Sequence, residues 1–135
     1  MNIPNLKDKV AVVTGGSGVL CSQFCKVLAQ AGCKVAIVGI DKVLGDNLEK
    51  EIRDDGYEAT SFIMNVMDKE SIKDCHNEIL AKYGPCDILI NGAGGNNPKA
   101  TTDEEFFTKE SLTNDAIKGF FDLDLNGFNF VFNLN

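Results

Sequence analysis

Thr14-Gly15-Gly16-Ser17-Gly18-Val19-Leu20-Cys21 gathers three glycines between a β-branched run and the first residues of an amphipathic one. Glycine lets a backbone turn tightly and approach an anion. The unpaired N–H groups at a helix start, with the positive end of its dipole, then bind a phosphate group. Inside a strand–loop–helix unit that chemistry fits the pyrophosphate of a dinucleotide, with Gly15, Ser17, Gly18, Val19 and Leu20 as its candidate cradle. Away from such a unit the same cluster reads as a plain turn.

A second chemical feature is Asp41, which follows the next apolar run by a few residues. A carboxylate there accepts a hydrogen bond from a ribose 2′-OH and repels a 2′-phosphate. Lys42 follows, but no arginine stands in the glycine loop or just after the run, which favours NAD(H) over NADP(H). Asp41 equally suits the N-cap of the following helix. The five cysteines (21, 25, 33, 75 and 86) form no Cys-x-x-Cys pair. Cys21 and Cys25, one helical turn apart, suit small apolar packing. His76 is the single histidine, so a multi-histidine metal site is excluded and no metal is expected.

Those residues need a frame, and the apolar runs supply it. Lys9–Thr14, Lys34–Val38 and Cys86–Ile90 are short, continuous and β-branched, and Glu58–Met64 is a weaker fourth. Such runs suit strands buried on both faces of a parallel sheet. Between them, Leu20, Phe24, Val27, Leu28 and Ala31 make one helical stripe ended by Gly32. Leu44, Leu48 and Ile52 make another, stopped at Gly56. Ile72, Cys75, Ile79 and Leu80 make a third, stopped at Gly84-Pro85. Strand and helix alternate with a period of about 25 residues, the pattern of an α/β doubly wound parallel sheet. After Ile90 the pattern changes. Residues 91–113 read as a polar loop with one acidic turn at Thr102–Phe107, and a last helix is expected from near Asp124. Seven of the nine phenylalanines fall in residues 106–135.

Composition removes other classes. The net charge of −7, from 13 basic and 20 acidic residues, argues against a nucleic-acid partner. No apolar run reaches the roughly 18 residues of a membrane span, so no membrane partner is expected. Met1 to Asp8 carries neither a basic n-region nor an apolar h-region, and with reduced thiols this points to the cytoplasm.

The residues resemble the short-chain dehydrogenase/reductase family. Its glycine motif, Thr-Gly-x-x-x-Gly-x-Gly, is matched at Thr14 and Gly15, while Val19 and Cys21 stand where the later glycines fall. Read as Gly-x-x-Gly-x-x-small, the loop comprises Gly15, Gly18 and Cys21. Asn65-Val66 stands for the family's Asp-Val pair at the adenine. Asn91-Gly92-Ala93-Gly94 stands for Asn-Asn-Ala-Gly, with Gly92 replacing the second Asn. The resemblance implies that Asn91, Ala93 and Gly94 lie beside the nicotinamide ribose. It also implies a Rossmann-type sheet with strand order 3-2-1-4, incomplete because the later strands are missing. Residues 91–102, with Phe120-Phe121-Asp122-Leu123-Asp124 and Gly127-Phe128, look like the D-mannonate oxidoreductase (fructuronate reductase) branch. That implies NADH-linked interconversion of a keto-sugar acid and its alcohol, with Asn96-Asn97-Pro98 near the substrate or serving only as a turn.

In the family a Tyr-x-x-x-Lys pair protonates the alkoxide, and an Asn on the helix after the fourth strand supports a proton-relay water. The resemblance gives that Asn role to Asn135. Tyr57 has Ser61 four residues on and Tyr83 has Asp87, so no Tyr-x-x-x-Lys occurs in these 135 residues. The expectation is a dinucleotide-binding domain, 1–135, cut before the Tyr/Lys segment and inactive alone. Its parent would be a homo-oligomeric sugar-acid oxidoreductase. The alternative is a non-catalytic nucleotide-binding or assembly module.

Overall fold

The computed structural model describes residues 5–135; residues 1–4, part of the start read above for a leader, lie outside the described residues. The chain divides into two compact units, Met1–Ala93 and Gly94–Asn135.

In the first unit the four apolar runs become β1 (Val10–Thr14), β2 (Lys34–Gly39), β3 (Ala59–Ile63) and β4 (Ile88–Asn91). They pair in parallel in the order β3-β2-β1-β4, as the sequence pattern and the family resemblance led us to expect. Between them run α1 (Val19–Gln30), α2 (Lys42–Asp54) and α3 (Lys69–Tyr83). Strand side chains alternate between faces. Ala11, Val13, Val35 and Ile37 pack with Cys21, Cys25 and Ala29 of α1 and Leu48 and Ile52 of α2. Val10, Val12, Ala36 and Val38 turn the other way, onto Phe62 and Met64 and Cys75, Ile79 and Tyr83 of α3. This double burial explains why β1 and β2 are apolar at nearly every position. Each fully buried Val or Ile contributes about 1.5–3 kcal/mol.

Asp87 fixes the start of the central strands. Its carboxylate accepts from the Val10 N–H at 2.9 Å and from Lys9 Nζ at 2.8 Å. The Lys9 hydrogen bond first, then that of Val10, holds the Asp87 pKa below its usual value. At the sheet edge β4 is only half covered, and an apolar groove of about 390 Å³ runs between it and α3, past Val12, Ile79, Leu80 and Leu89.

The second unit holds three short 3₁₀ turns (Pro98–Ala100, Glu110–Leu112 and Phe120–Asp122) and one helix, α4 (Leu125–Leu134). The helix starts where expected: Asp124 caps it, accepting from the Asn126 N–H at 2.7 Å. Gly127 is buried because a Cβ there would stand 2.8 Å from the Lys99 carbonyl carbon. The acidic turn expected at Thr102–Phe107 does not close. Residues 103–106 only bend, and the Asp103 N–H bonds instead to the Lys118 carbonyl at 3.0 Å. Asn97 caps the first 3₁₀ turn, accepting from the Lys99 N–H at 2.9 Å, so Asn96-Asn97-Pro98 is a turn. Phe107, Phe120 and Phe121 stack edge to face while remaining exposed.

Candidate functional site: a dinucleotide cleft at the strand ends

The carboxyl ends of the strands carry the candidate residues. Gly15 leaves β1 with φ +63°, a left-handed conformation that favours glycine, and a Cβ on it would lie 2.7 Å from the Gly92 carbonyl oxygen. The Gly18 N–H closes a tight turn onto the Gly15 carbonyl at 2.9 Å, and the Gly16 N–H bonds to the Val38 carbonyl at 3.0 Å. The loop is thus held to both β1 and β2, and α1 starts directly after Gly18.

Among the described helices α1 alone lacks a side-chain cap. Asp41, Asp68 and Asp124 cap α2, α3 and α4, whereas the N-cap of α1 is Gly18 and its first turn has no acidic residue. The first N–H groups of a helix have no partner within it, and its dipole end stays positive unless an anion neutralises it. Val19 is 95% and Leu20 65% exposed at this opening, so neither is spent on the core. The observation fits a pyrophosphate: a glycine turn no side chain could enter, leading to uncapped, uncompensated donors.

The β4 turn lies directly against this loop. Asn91 is paired in register with Thr14, and the Thr14 hydroxyl accepts from the Gly92 and Ala93 N–H groups, each at 3.1 Å. Thr14 is 7% exposed. In the sequence Thr14 shows only as part of the glycine motif, and the signal of its role is its place as the last residue of β1.

Asp41 caps α2, its Oδ1 accepting from the Leu44 N–H at 3.0 Å. The capping role is therefore realised, and one carboxylate oxygen remains at the end of β2. Ser17 comes close to the same strand end, its Oγ 3.5 Å from where a Gly39 Cβ would be. Asn65 and Val66 follow β3. Asn65 Oδ1 accepts from the Met67 N–H at 3.0 Å, and Val66 packs on the α3-side core. In the second unit, Asn135 is tied to the chain after Gly94: Oδ1 accepts from the Gly95 N–H at 3.1 Å, and Nδ2 donates to the Gly95 and Val131 carbonyls at 2.9 Å.

Four of the five thiols, those of Cys21, Cys25, Cys33 and Cys75, are buried, and Cys86 is exposed. Cys21, Cys25, Cys33, Cys75 and Cys86 are all free. Burial pushes the Cys25 pKa up to about 12, with Cys21 adding to the rise, and burial with Glu78 pushes Cys75 up to about 11. Such thiols stay protonated and inert at neutral pH. Among the described residues no three His, Cys, Asp or Glu side chains converge as metal ligands, and no helix is long and apolar enough to cross a membrane.

The short chain dehydrogenase family matches residues 9–133. A Haemophilus influenzae protein known only as an uncharacterised oxidoreductase is 47% identical over 131 residues, which are 97% of this chain and 45% of that protein. A crystal structure from the same organism, given the working name D-mannonate oxidoreductase and solved with bound NAD, superposes with a TM-score of 0.92 at 46% identity, covering 97% of this chain and 46% of that one. A metagenomic short-chain oxidoreductase in complex with NADP superposes with a TM-score of 0.66 at 31% identity, covering 69% and 42%. The chain belongs to the short-chain dehydrogenase family. It spans a little under half the length of these curated relatives.

Proposed function

We propose that residues 1–135 are the dinucleotide-binding part of a nicotinamide-dependent oxidoreductase that interconverts a keto-sugar acid and its alcohol, of the D-fructuronate/D-mannonate type. The observation that carries the reading is the pair of opposed turns: the uncapped glycine entrance to α1 and the β4 turn held against it by Thr14. Gly15, Ser17, Gly18, Val19 and Leu20 receive the pyrophosphate. Asn65 and Val66 stand for the adenine side, and Asn91, Ala93 and Gly94 for the nicotinamide ribose. When bound, the nicotinamide exchanges hydride with the substrate carbon. NAD(H) is preferred because Asp41 places a carboxylate at the end of β2 and no arginine stands there to receive a 2′-phosphate. The sugar-acid class is supported by likeness to the NAD-bound Haemophilus influenzae structure.

Reduction of a ketone leaves an alkoxide that needs a proton donor, and residues 1–135 contain no Tyr-x-x-x-Lys. Asn135, whose amide grips the Gly95 backbone, keeps the part the resemblance gives it, support of a proton-relay water. The parent protein works as a homo-oligomer in the cytoplasm, the compartment its free thiols suit. The non-catalytic alternative gains no support from relatives that are named as oxidoreductases.

Titration of NADH and NADPH against the protein, followed by nicotinamide fluorescence, tests the reading. Saturable binding with NADH the tighter is expected, and the absence of binding by either overturns it. Assay with fructuronate and NADH tests the second part. Turnover by residues 1–135 alone would overturn the expectation that this stretch lacks the proton donor.

A further inference from the structure

Two departures from the family pattern meet in space. Cys21 stands where the family carries its last motif glycine, and Gly92 where it carries an asparagine. A Cβ built on Gly92 runs into Cys21 Sγ and would lie 2.8 Å from the Thr14 carbonyl oxygen. Cys21 is 7% exposed, so its thiol fills the gap between the first turn of α1 and the β4 turn. Gly92 is therefore gripped from three sides by one short segment. Thr14 Oγ1 holds its N–H, Gly15 lies against its carbonyl, and Cys21 lies over its Cα.

We propose that Cys21 and Gly92 are two halves of one exchange of volume, in which the thiol on α1 replaces the side chain the family carries on the β4 turn and sets the spacing between the two walls of the dinucleotide cleft. Close-packed interiors neither leave a thiol-sized void nor admit an extra one, so each residue restricts the other. Glycine at 21 would leave Gly92 uncovered; a side chain at 92 would displace the thiol. The neighbouring cysteine acts on the same loop, for Cys25 Sγ donates to the Gly16 carbonyl at 3.6 Å. Its thiol stays protonated and keeps that donor, because burial holds its pKa up at about 12. Cys21 is on this view a positioning residue, and the inference rests on the dinucleotide reading above.

The test is a double-mutant cycle of C21A, G92A and C21A/G92A, read by NADH affinity well below the lowest unfolding temperature of the set and, separately, by those temperatures. With Cys21 present, G92A is expected to weaken NADH binding about tenfold, and in the C21A background less than about threefold, the coupling expected of residues in contact. Recovery stays partial because the Thr14 carbonyl remains in place. An equal effect of G92A in both backgrounds, or no effect of G92A, overturns the proposal. Coupling in the unfolding temperatures without coupling in NADH affinity also overturns it, since the pair would then only pack. Should G92A fail to fold, C21G/G92N restores the family's own pair. A soluble, NADH-binding C21G/G92N beside an insoluble G92N supports the exchange, and insolubility of both overturns it. Loss of NADH binding by the unmutated protein would refute the dinucleotide reading instead, and with it the claim that the spacing matters for the cofactor.

Discussion

Thr14 and Gly92 are joined through one hydroxyl: Thr14 Oγ1 accepts the Gly92 N–H at 3.1 Å and, at the same distance, the N–H of Ala93. The last residue of β1 thereby carries the turn that ends β4. Thr14→Val keeps the shape and removes the acceptor, leaving two backbone donors without a partner. Each unsatisfied donor costs about 1–3 kcal/mol where water cannot replace the bond. Thr14→Val is expected to lower the unfolding temperature and weaken NADH binding together, while Thr14→Ser keeps both near the original. Calorimetric unfolding and NADH titration of the two variants decide it. Equal behaviour of Val and Ser would mean that the hydroxyl is not what holds the turn.

Gly15 tolerates no side chain on two independent grounds. Its φ of +63° is the left-handed region, and a Cβ would sit 2.7 Å from the Gly92 carbonyl oxygen. The conformation alone costs an alanine about 1 kcal/mol, and a backbone contact that short must move the β4 turn. Gly15→Ala is expected to lose NADH binding by more than Gly18→Ala. Gly18 has an extended backbone with φ −70°, and its Cβ would be 3.1 Å from the Gly15 oxygen. Comparing the two dissociation constants checks the ordering.

The strands were readable because β1 and β2 are buried on both faces, so that Val10–Val13 and Val35–Val38 are apolar without alternation, while their order was implied by the family resemblance alone. The start of α4 was readable because an Asp at the N-cap acts within its own turn. Local physics of that kind is written in adjacent residues. The grip on Gly92 was not readable, since it joins Thr14, Gly15 and Cys21 to a residue far along the chain, and periodicity carries no such information. Position 92 showed only as a mismatch to a motif, and position 21 as another. The acidic turn at 102–107 failed for the same reason: Asp103 is paired through its N–H with Lys118, in a contact no local pattern specifies. Asp41 stayed double because a cap and a ribose partner require the same residue at the same place.

That double role can be separated by substitution. Asp41→Asn keeps an oxygen that accepts from the Leu44 N–H but removes the charge that repels a 2′-phosphate. Asp41→Ala removes both and costs about 1 kcal/mol of helix capping. The Asn variant is expected to hold its unfolding temperature while the preference for NADH over NADPH narrows. The Ala variant is expected to lose in both measurements. Unchanged NADH/NADPH discrimination in Asp41→Asn would leave Asp41 as a cap alone.

Buried thiols also give the fold an alkaline limit. The Cys25 pKa rises from 9.0 to about 12 on folding, so between those values the folded state holds a proton the unfolded chain releases. Stability linked to this group is complete below about pH 9 and is lost as pH rises toward the folded value. Cys75, raised to about 11, acts in the same direction, as do Cys33 and Tyr83, whose pKa values burial also raises, and Lys9, raised by its hydrogen bond to Asp87. For Cys25 and Cys75 the fully developed slope is up to about 1.4 kcal/mol per pH unit each. Unfolding temperature is therefore expected to fall increasingly steeply above pH 9. Cys25→Ala should begin lower at pH 7, because Cys25 fills a fully buried site, and then decline less steeply than the parent. Thermal unfolding of both proteins from pH 7 to 10.5 checks the difference in slope. Parallel curves would remove Cys25 as a source of the alkaline loss and leave it to Cys33, Cys75, Tyr83 and Lys9.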